Sequence, residues 1–229
     1  MKKNTVIFDL DGTLLNTLED LYIAFNYAIK SFGYPTRTKE EIRSFVGNGT
    51  KKAIERAINE VVEKEKLEKI NEIFKEYYAN HMYEKTKPYS GILEMLYKLK
   101  SKKFKIAVVS NKYDIAVKNL CNHYFKELVD IAIGEGYGIK KKPDPSGTLK
   151  VIKELNSTIE NSIFVGDSNV DIETAQNVGI ECISVTWGYK EETFLIEKGA
   201  KNLAKVPNNI IEIIEKKIIF NIVLFQRMQ

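Results

Sequence analysis

Two aspartates, Asp9 and Asp11, lie close together near the beginning of this 229-residue chain. They follow Thr5–Phe8, a run of β-branched and aromatic residues without polar alternation, which predicts a strand buried on both faces of a parallel sheet. Gly12 then ends the strand, so both carboxylates would lie at its carboxyl end, where open α/β sheets bind ligands. Because two close carboxylates repel each other, the pair indicates a site for a cation.

Three interpretations of this pair compete. Asp-Gly is a common turn pair, so Asp11 and Gly12 could form a polar turn without a chemical role. A calcium loop counted from Asp9 needs an oxygen ligand at its fifth position and glycine at its sixth, and it is rejected because Thr13 and Leu14 stand there. The third interpretation is a nucleophilic aspartate beside an acid–base aspartate, both close to Mg²⁺. The rest of the sequence decides among them.

Further polar residues follow other predicted strands. Ile106–Val109 is a buried run that leads into Ser110 and Asn111, and Ile163–Val165 leads into an acidic segment. Since the strand ends of a parallel sheet gather at one edge, carboxylates, a hydroxyl and an ammonium group should meet there. Carboxylate oxygens suit Mg²⁺, and Ser, Lys and backbone N–H groups suit a phosphate. The members of this set are Asp9, Asp11, Ser110, Lys142, Asp167 and Asp171.

The elements that position these residues are of two kinds. Apolar residues recur at helical spacing from about residue 17 to 32 and in two later segments, and nothing between about 16 and 83 has the pattern of a strand. From Pro88 onward, short strands alternate with helices, which predicts a doubly wound parallel sheet covered on both faces. The fold class is therefore α/β. We expect an α-helical domain over residues 16–83, inserted into a core domain formed by residues 1–15 and 84–229.

Composition restricts the partners and the compartment. The net charge is only +4, and lysine and glutamate are interleaved without a basic stripe, so we expect no nucleic-acid partner. We expect no membrane span, because no apolar run approaches the ~18 residues that one requires. The short run after the two N-terminal lysines is unlike a signal peptide. Cys121 and Cys182 show no metal-type spacing, which favours a reduced, cytoplasmic compartment.

Four short motifs occur in order along the chain. Residues 9–13 read D-x-D-G-T, Ser110 follows a second strand, Lys142 precedes Pro-x-Pro, and residues 166–171 read G-D-S-x-x-D. In this combination the chain resembles the haloacid dehalogenase superfamily. It is most similar to the phosphoglycolate phosphatase-like branch, whose helical cap is inserted just after the first motif. The resemblance spans nearly the whole chain.

The resemblance implies a role for each of these residues. Asp9 would attack phosphorus in line and form an aspartyl-phosphate, while Asp11 would protonate the leaving oxygen and then activate water. Mg²⁺ would be held by Asp9, Asp167 and the backbone carbonyl of Asp11. Asp171 would complete the metal site by orienting its shell and Lys142. The substrate would be bound by residues of three segments: Ser110, Asn111, Lys142, Gly47, Asn48 and Gly49.

Two segments keep more than one interpretation. Residues 47–49 read Gly-Asn-Gly, which suits an interhelical turn and also matches a specificity loop of the resembled branch. Near the C-terminus, Ile218–Phe225 is an almost unbroken apolar run that matches nothing in the family. We expect it either to fold back onto its own domain or to form a dimer contact, so the protein would be a monomer or a homodimer.

Together, the motifs and the resemblance predict a Mg²⁺-dependent phosphatase that hydrolyses a small phosphate monoester, with 2-phosphoglycolate as the first candidate. A pyrophosphatase or nucleotide phosphatase on the same core is the alternative. A sugar-phosphate mutase is disfavoured, because several relatives that act on sugar phosphates carry Glu where this chain has Gly166. A non-catalytic phosphate-binding or regulatory protein is disfavoured as well, since the nucleophile and the metal carboxylates are all present.

Overall fold

A six-stranded parallel sheet forms the centre of the computed structural model, which describes residues 3–136 and 138–216. Within these ranges the strands are β1 (Thr5–Phe8), β2 (Leu15–Asn16), β3 (Lys87–Pro88), β4 (Lys105–Tyr113), β5 (Ile131–Glu135), β6 (Ser162–Gly166), β7 (Glu181–Val185) and β8 (Leu203–Ala204). The sheet has the order β5-β4-β1-β6-β7-β8, and each neighbouring pair runs parallel. β2 and β3 form a separate antiparallel ribbon.

The central strand β1 is buried because both of its faces are covered. Val6, Ile7 and Phe8 are 0% exposed. Phe8 is aligned with Val108 of β4 on one side and with Val165 of β6 on the other. The three strands therefore run side by side, and the residues at their carboxyl ends share one edge of the sheet.

Helices cover both faces of this sheet. They are α1 (Leu18–Lys30), α2 (Lys39–Phe45), α3 (Thr50–Ile58), α4 (Lys64–His81), α5 (Ile92–Ser101), α6 (Asp114–Tyr124), α7 (Ser146–Glu154), α8 (Asn169–Val178) and α9 (Glu192–Glu197), and residues 207–216 are also helical. Leu96 of α5 and Leu120 of α6 pack in one apolar cluster with strand residues, whereas Val151 of α7 and Ala175 of α8 pack in a second cluster. The doubly wound α/β architecture is confirmed.

Four helices, α1 to α4, follow one another between β2 and β3 and pack together. α1 packs against α2 and α4, and α3 packs against the same two helices. Phe25 of α1 stacks on Phe74 of α4 with 4.4 Å between ring centroids, and Phe74 stacks in turn on Tyr78. The ribbon of β2 and β3 brings the two ends of this helical segment together.

The helical segment differs from the prediction in two places. Helix α2 occurs where none was predicted, because only Ile42 and Phe45 among its seven residues are apolar. Its sequence signal is a capping box, in which the Thr38 hydroxyl accepts from the backbone N–H of Glu41 while the Glu41 carboxylate accepts from that of Thr38. In addition, Asn16 belongs to strand β2, so the all-helical segment begins after it.

Strand β4 is longer than expected. The prediction ends it at Val109, whereas the structure continues it to Tyr113, with a register shift against β5 between these two residues. Ser110, Asn111 and Lys112 consequently lie within the strand and not in a loop after it. This difference decides which side chains reach the site described below.

The apolar run Ile218–Phe225 lies outside the described residues. The expectation that it packs on its own domain or forms a dimer contact therefore stays a prediction. Within the described ranges, no helix combines the length and the apolar character that a membrane crossing requires.

Candidate active site

Three neighbouring strands bring the expected site residues to one edge of the sheet. Asp9 directly follows β1, Ser110 lies in β4, and Asp167 directly follows β6. The three residues are 8%, 7% and 3% exposed, respectively. Because β1 lies between β4 and β6, residues distant in sequence meet at a single buried point.

A buried acidic cluster occupies this point. One carboxylate oxygen each of Asp9, Asp167 and Asp171 lies within 4.8 Å of the others. Lys142 stands between two of them, with its Nζ 2.9 Å from Asp9 Oδ1 and donating to Asp171 Oδ1 at 2.6 Å. The second oxygen of Asp171 accepts from the N–H and the hydroxyl of Ser168, at 3.0 and 2.6 Å. Asp171 is thus held on both oxygens by the protein itself.

Burial makes the charged forms of these carboxylates unfavourable. Desolvation raises the pKa of Asp9 from 3.8 to about 6, against the opposing charge of Lys142. Desolvation and the nearby Asp171 raise the pKa of Asp167 well above its usual range. Desolvation acts to lower the pKa of Lys142, but the negative charges of Asp171 and Asp9 outweigh this effect. The pKa of Lys142 is therefore raised, and its side chain stays charged. A further cation beside Asp9 and Asp167 would stabilise both carboxylates.

The donor set fits a divalent cation. Three carboxylates, those of Asp9, Asp167 and Asp171, form the cluster, and one ammonium group, that of Lys142, contacts two of them. Acidic groups therefore outnumber basic ones in the cluster. Carboxylate oxygens are the hard ligands that Mg²⁺ takes in proteins.

Close backbone approach orients Asp167. Gly12 has φ +80°, and a Cβ added there would collide with the Asp167 carboxylate. A Cβ on Gly188 would collide with the same side chain from another direction. The backbone N–H of Tyr189 donates to Asp167 Oδ2 at 2.6 Å. The carboxylate is therefore packed between two backbone segments and turned toward the acidic cluster.

The side chain of Asp11 has different partners. Lys112 Nζ donates to Asp11 Oδ1 and Oδ2 at 3.0 and 3.1 Å. Thr17 Oγ1 donates to Asp11 Oδ1 at 2.6 Å, and the Thr17 hydroxyl lies 2.8 Å from the hydroxyl of Tyr189. The Asp11 carboxylate is thus fixed at the cavity wall and lies outside the acidic cluster. The sequence analysis expects Asp11 to bind Mg²⁺ through its backbone carbonyl, not through this carboxylate.

Asn111 connects two loops of the site. Its Nδ2 donates to the carbonyl oxygens of Gly47 and Lys142, at 2.9 and 3.0 Å. Its Oδ1 accepts from the backbone N–H of Lys142 at 2.7 Å. Both ends of the amide are therefore used to join the loop between α2 and α3 to the loop that carries Lys142.

The site opens into a cavity of about 50 Å³ below helices α1, α3 and α4. Its floor is polar and consists of Asp9, Asp11, Ser110, Asn111, Lys112 and Asp167. Its roof is largely apolar and consists of Leu21, Phe25, Val46, Ala53, Phe74 and Tyr78. Gly47 and Gly49 also line the cavity, whereas Asn48, Lys142 and Asp171 are absent from its lining within the described part of the chain.

Lys112 is the site residue that the sequence analysis missed. Side chains two positions apart on a strand point to the same face, so a strand continuing through Ser110 would have placed Lys112 beside it. The prediction ended the strand at Val109, so it did not indicate that the Lys112 side chain would reach the site. Tyr189 carries no such local signal, because it is 172 residues from Thr17, whose hydroxyl it contacts.

Comparison with known proteins agrees with this geometry. The family model described as haloacid dehalogenase-like hydrolase matches residues 6–185, which contain all four motifs. The chain belongs to the haloacid dehalogenase-like hydrolase family. It is 30% identical over 217 residues to the phosphoglycolate phosphatase of Aquifex aeolicus, covering 90% of this chain and 98% of that relative. It is 33% identical over 194 residues to phosphoglycolate phosphatase 1 of Pseudomonas aeruginosa, covering 80% of this chain and 70% of that relative.

A solved structure gives the same result for this haloacid dehalogenase-like hydrolase. The crystal structure of a provisionally named phosphoglycolate phosphatase from Lactobacillus delbrueckii subsp. bulgaricus superposes with a TM-score of 0.89 at 36% identity. The match covers 93% of this chain and 99% of that structure. The chain is thus an enzyme of the phosphoric monoester hydrolase class.

Proposed function

We propose that this hydrolase is a Mg²⁺-dependent phosphatase acting on a small phosphate monoester, with 2-phosphoglycolate as the first substrate to test. The observation that supports it most is the buried cluster of Asp9, Asp167 and Asp171, with Lys142 beside Asp9. The names of the relatives in A. aeolicus and P. aeruginosa support the choice of substrate.

In the first step, a carboxylate oxygen of Asp9 attacks phosphorus and an aspartyl-phosphate forms as the ester P–O bond breaks. Asp11 gives its proton to the departing oxygen. Two unit charges ~4 Å apart at an effective dielectric of about 20 interact by roughly 4 kcal/mol, so the approach of Asp9 to an anionic phosphate needs compensation. Lys142, 2.9 Å from Asp9 Oδ1, supplies part of it. When bound by Asp9, Asp167 and the carbonyl of Asp11, Mg²⁺ would supply further positive charge at the phosphate.

In the second step, Asp11 takes a proton from a water molecule, which attacks phosphorus as the P–O bond to Asp9 breaks. This releases inorganic phosphate and restores the Asp9 carboxylate. The contacts of Asp11 with Lys112 and Thr17 hold its carboxylate in one place for both proton transfers. Because both groups donate to Asp11 oxygens, they favour its carboxylate form, which is the form that takes the proton in this step.

Ser110 is suited to bind the phosphate. Its Oγ accepts the backbone N–H of Lys112 at 3.3 Å, so the hydroxyl proton remains free for a phosphate oxygen. The ammonium of Lys142 offers positive charge beside Asp9. Asn111 uses its whole amide on Gly47 and Lys142, so in this proposal it positions the loops and does not bind the substrate itself.

Residues 16–83 act as a cap domain in this proposal, over a core formed by residues 1–15 and 84–229. Side chains of both parts join them beside the cavity. Arg43 of α2 donates to the carbonyl of Gly188, Lys190 donates to the carbonyl of Ser44, and Asn111 donates to that of Gly47. Opening and closing at these contacts would admit the substrate and then exclude water.

The size of the cavity favours a small substrate. The enclosed space is only about 50 Å³, and packed side chains form its roof. Such a site favours a short acid or alcohol attached to phosphate. A nucleoside would have to displace the packed roof of Phe25, Phe74 and Tyr78.

The experiment is a comparison of kcat/KM for 2-phosphoglycolate, pyrophosphate, ATP and a hexose phosphate, with Mg²⁺ and with excess chelator. The proposal expects the highest value for 2-phosphoglycolate, and activity only with the metal. The Asp9→Asn variant is the inactive control for a contaminating phosphatase. Release of phosphate from none of these compounds in the presence of Mg²⁺ would contradict the proposed function.

A further inference from the structure

A second buried ammonium group, that of Lys112, lines the cavity together with Ser110. We propose that Lys112 binds a second anionic group of the substrate, so that the preferred substrates are phosphate monoesters with a carboxylate close to the ester oxygen. The inference rests on the proposed phosphatase function and deepens it by naming the substrate class and the residue that selects it.

The burial of Lys112 is the first observation behind this assignment. Only 4% of its side chain is exposed, and its Nζ lies 4.4 Å from the centre of the Tyr78 ring in the cavity roof. An ammonium buried in such a place needs an anion beside it, and Asp11 lies there at 3.0 Å. An ammonium has three N–H donors, and two contacts reach the oxygens of Asp11. One donor therefore remains for a ligand in the cavity.

The position of Lys112 relative to the phosphate site is the second observation. Ser110 and Lys112 both line the cavity, and the Ser110 hydroxyl accepts the backbone N–H of Lys112 at 3.3 Å. The two side chains therefore belong to one part of the cavity wall. A molecule with its phosphate at Ser110 and a second anion close to its ester oxygen would bring that anion within reach of Lys112.

The rest of the cavity wall strengthens the assignment. A carboxylate entering beneath Leu21, Phe25 and Phe74 loses water and needs a cation in return. Besides Lys112, the other cation among the described lining residues is Lys190. Lys190 donates to the Ser44 carbonyl, and desolvation lowers the pKa of its ammonium. Lys112 is therefore the better placed cation, and Lys190 is its competitor in the experiment.

The same contacts allow Lys112 to be a positioning residue that only holds Asp11. In that case its removal would impair turnover of every phosphate monoester equally. If it binds a substrate carboxylate, its removal would raise KM for substrates that carry one and leave KM unchanged for neutral analogues. The ratio of kcat/KM for a matched pair of substrates separates the two roles.

The experiment compares 2-phosphoglycolate with 2-phosphoglycolamide, in which a neutral amide replaces the carboxylate, in wild type and in Lys112→Met. We expect wild type to prefer the acid and Lys112→Met to lose about 10–100-fold of that preference, the usual range for a charge-assisted hydrogen bond, through KM. Lys112→Arg keeps the positive charge and should retain most of the preference. Lys118→Met, which removes an exposed lysine on α6, is the matched control and should behave as wild type.

Each other outcome overturns the inference in a distinguishable way. An equal loss for acid and amide in Lys112→Met makes Lys112 a positioning residue. A selective loss in Lys190→Met, with none in Lys112→Met, assigns the carboxylate to Lys190. If wild type hydrolyses both compounds equally well, the substrate class is wrong while the phosphatase function stands. If it hydrolyses neither, the proposed function fails first. Where Lys112→Met does not fold, Lys112→Gln takes its place in the same comparison.

Discussion

Lys112 Nζ lies 3.0 Å from Asp11 Oδ1, although 101 residues separate the two in sequence. The contact joins the residue proposed for proton transfer to strand β4, which also carries Ser110. The proposed phosphate-binding hydroxyl and the proposed acid–base carboxylate are therefore fixed by one stretch of backbone. A change in this strand should affect both the binding and the chemical step.

The first prediction concerns Asp11. Asp11→Asn keeps the shape of the side chain and its backbone carbonyl, but it cannot transfer a proton. Turnover of alkyl phosphates should fall by about 10²–10⁴-fold, the usual contribution of general acid–base catalysis. Formation of the phosphoenzyme from an aryl phosphate with a good leaving group should be much less affected, since that oxygen departs without protonation. Burst kinetics with the two kinds of substrate measure this, and an equal loss of the first step for both would contradict the acid role.

The second prediction concerns the metal. Removing divalent cations with excess chelator should abolish turnover, and Mg²⁺ should restore it, because the carboxylate cluster is a hard-ligand site. Ca²⁺ should compete with Mg²⁺ and inhibit, since it is larger and accepts more ligands, which would displace Asp9 from in-line attack. Steady-state rates in mixtures of the two cations test this. Full activity in chelator, or full activity with Ca²⁺ alone, would count against the proposed site.

The third prediction concerns pH and the stability of the metal-free protein. Burial raises the pKa of Asp9 from 3.8 to about 6 in the folded state. Between these two values the folded protein binds more protons at Asp9 than the unfolded chain does, so the free energy of unfolding falls as the pH rises through this range. Asp9→Asn has no ionisable group at this position, so it should not lose this part of the free energy of unfolding as the pH rises. Its melting temperature should exceed that of wild type by more at pH 7.5 than at pH 5, by a few degrees at about 2–4 °C per kcal/mol.

The control for this measurement is Glu94→Gln, which replaces an exposed carboxylate whose pKa is lowered by its contact with Lys98. It should not raise the melting temperature more at pH 7.5 than at pH 5. Thermal unfolding in excess chelator at the two pH values gives both differences. If Asp9→Asn shifts the melting temperature equally at pH 5 and pH 7.5, the buried carboxylate of Asp9 is not the group that destabilises the metal-free protein.

The fourth prediction concerns Asn111. Asn111→Ala leaves the backbone groups of Lys142 and Gly47 without their partner, which should cost about 1–3 kcal/mol of stability and raise KM by releasing both loops. Asn26→Ala is a matched control, because Asn26 also bridges backbone groups, the carbonyl and N–H of Arg37, but lies away from the cavity. It should lose similar stability without a change in KM. Equal KM values for Asn111→Ala and Asn26→Ala would refute the positioning role of Asn111.

Much of the fold could be predicted from the sequence because short buried runs and polar strand ends are local signals. Thr5–Phe8 and Ile163–Val165 lie in strands where they were expected, with Asp9 and Asp167 at the ends. Helix α2 was missed because only two of its seven residues are apolar, and its sequence signal is the capping box of Thr38 and Glu41. The error came from requiring apolar periodicity of every helix.

The candidate site could be predicted in part for the same reason. The acidic cluster follows from strand ends that any parallel sheet gathers, so Asp9 and Asp167 needed no tertiary information. The surroundings of Asp11 depend on where β4 ends and on which loop returns to the site. Lys112 was not predicted because the last residues of β4 were not assigned to the strand. The pairing of Thr17 with Tyr189 arises only when segments 172 residues apart meet.

The central claim is that Asp9 carries the phosphoryl group, and chemical trapping of that intermediate tests it most directly. The Asp11→Asn variant, mixed with Mg²⁺ and an aryl phosphate whose leaving group departs without protonation, should accumulate the aspartyl-phosphate because its hydrolysis lacks a base. Quenching and reduction with borohydride converts an acyl phosphate to the alcohol, so mass spectrometry should find homoserine at position 9. Homoserine at another aspartate, or none while phosphate is released at the single-turnover rate, would contradict the account.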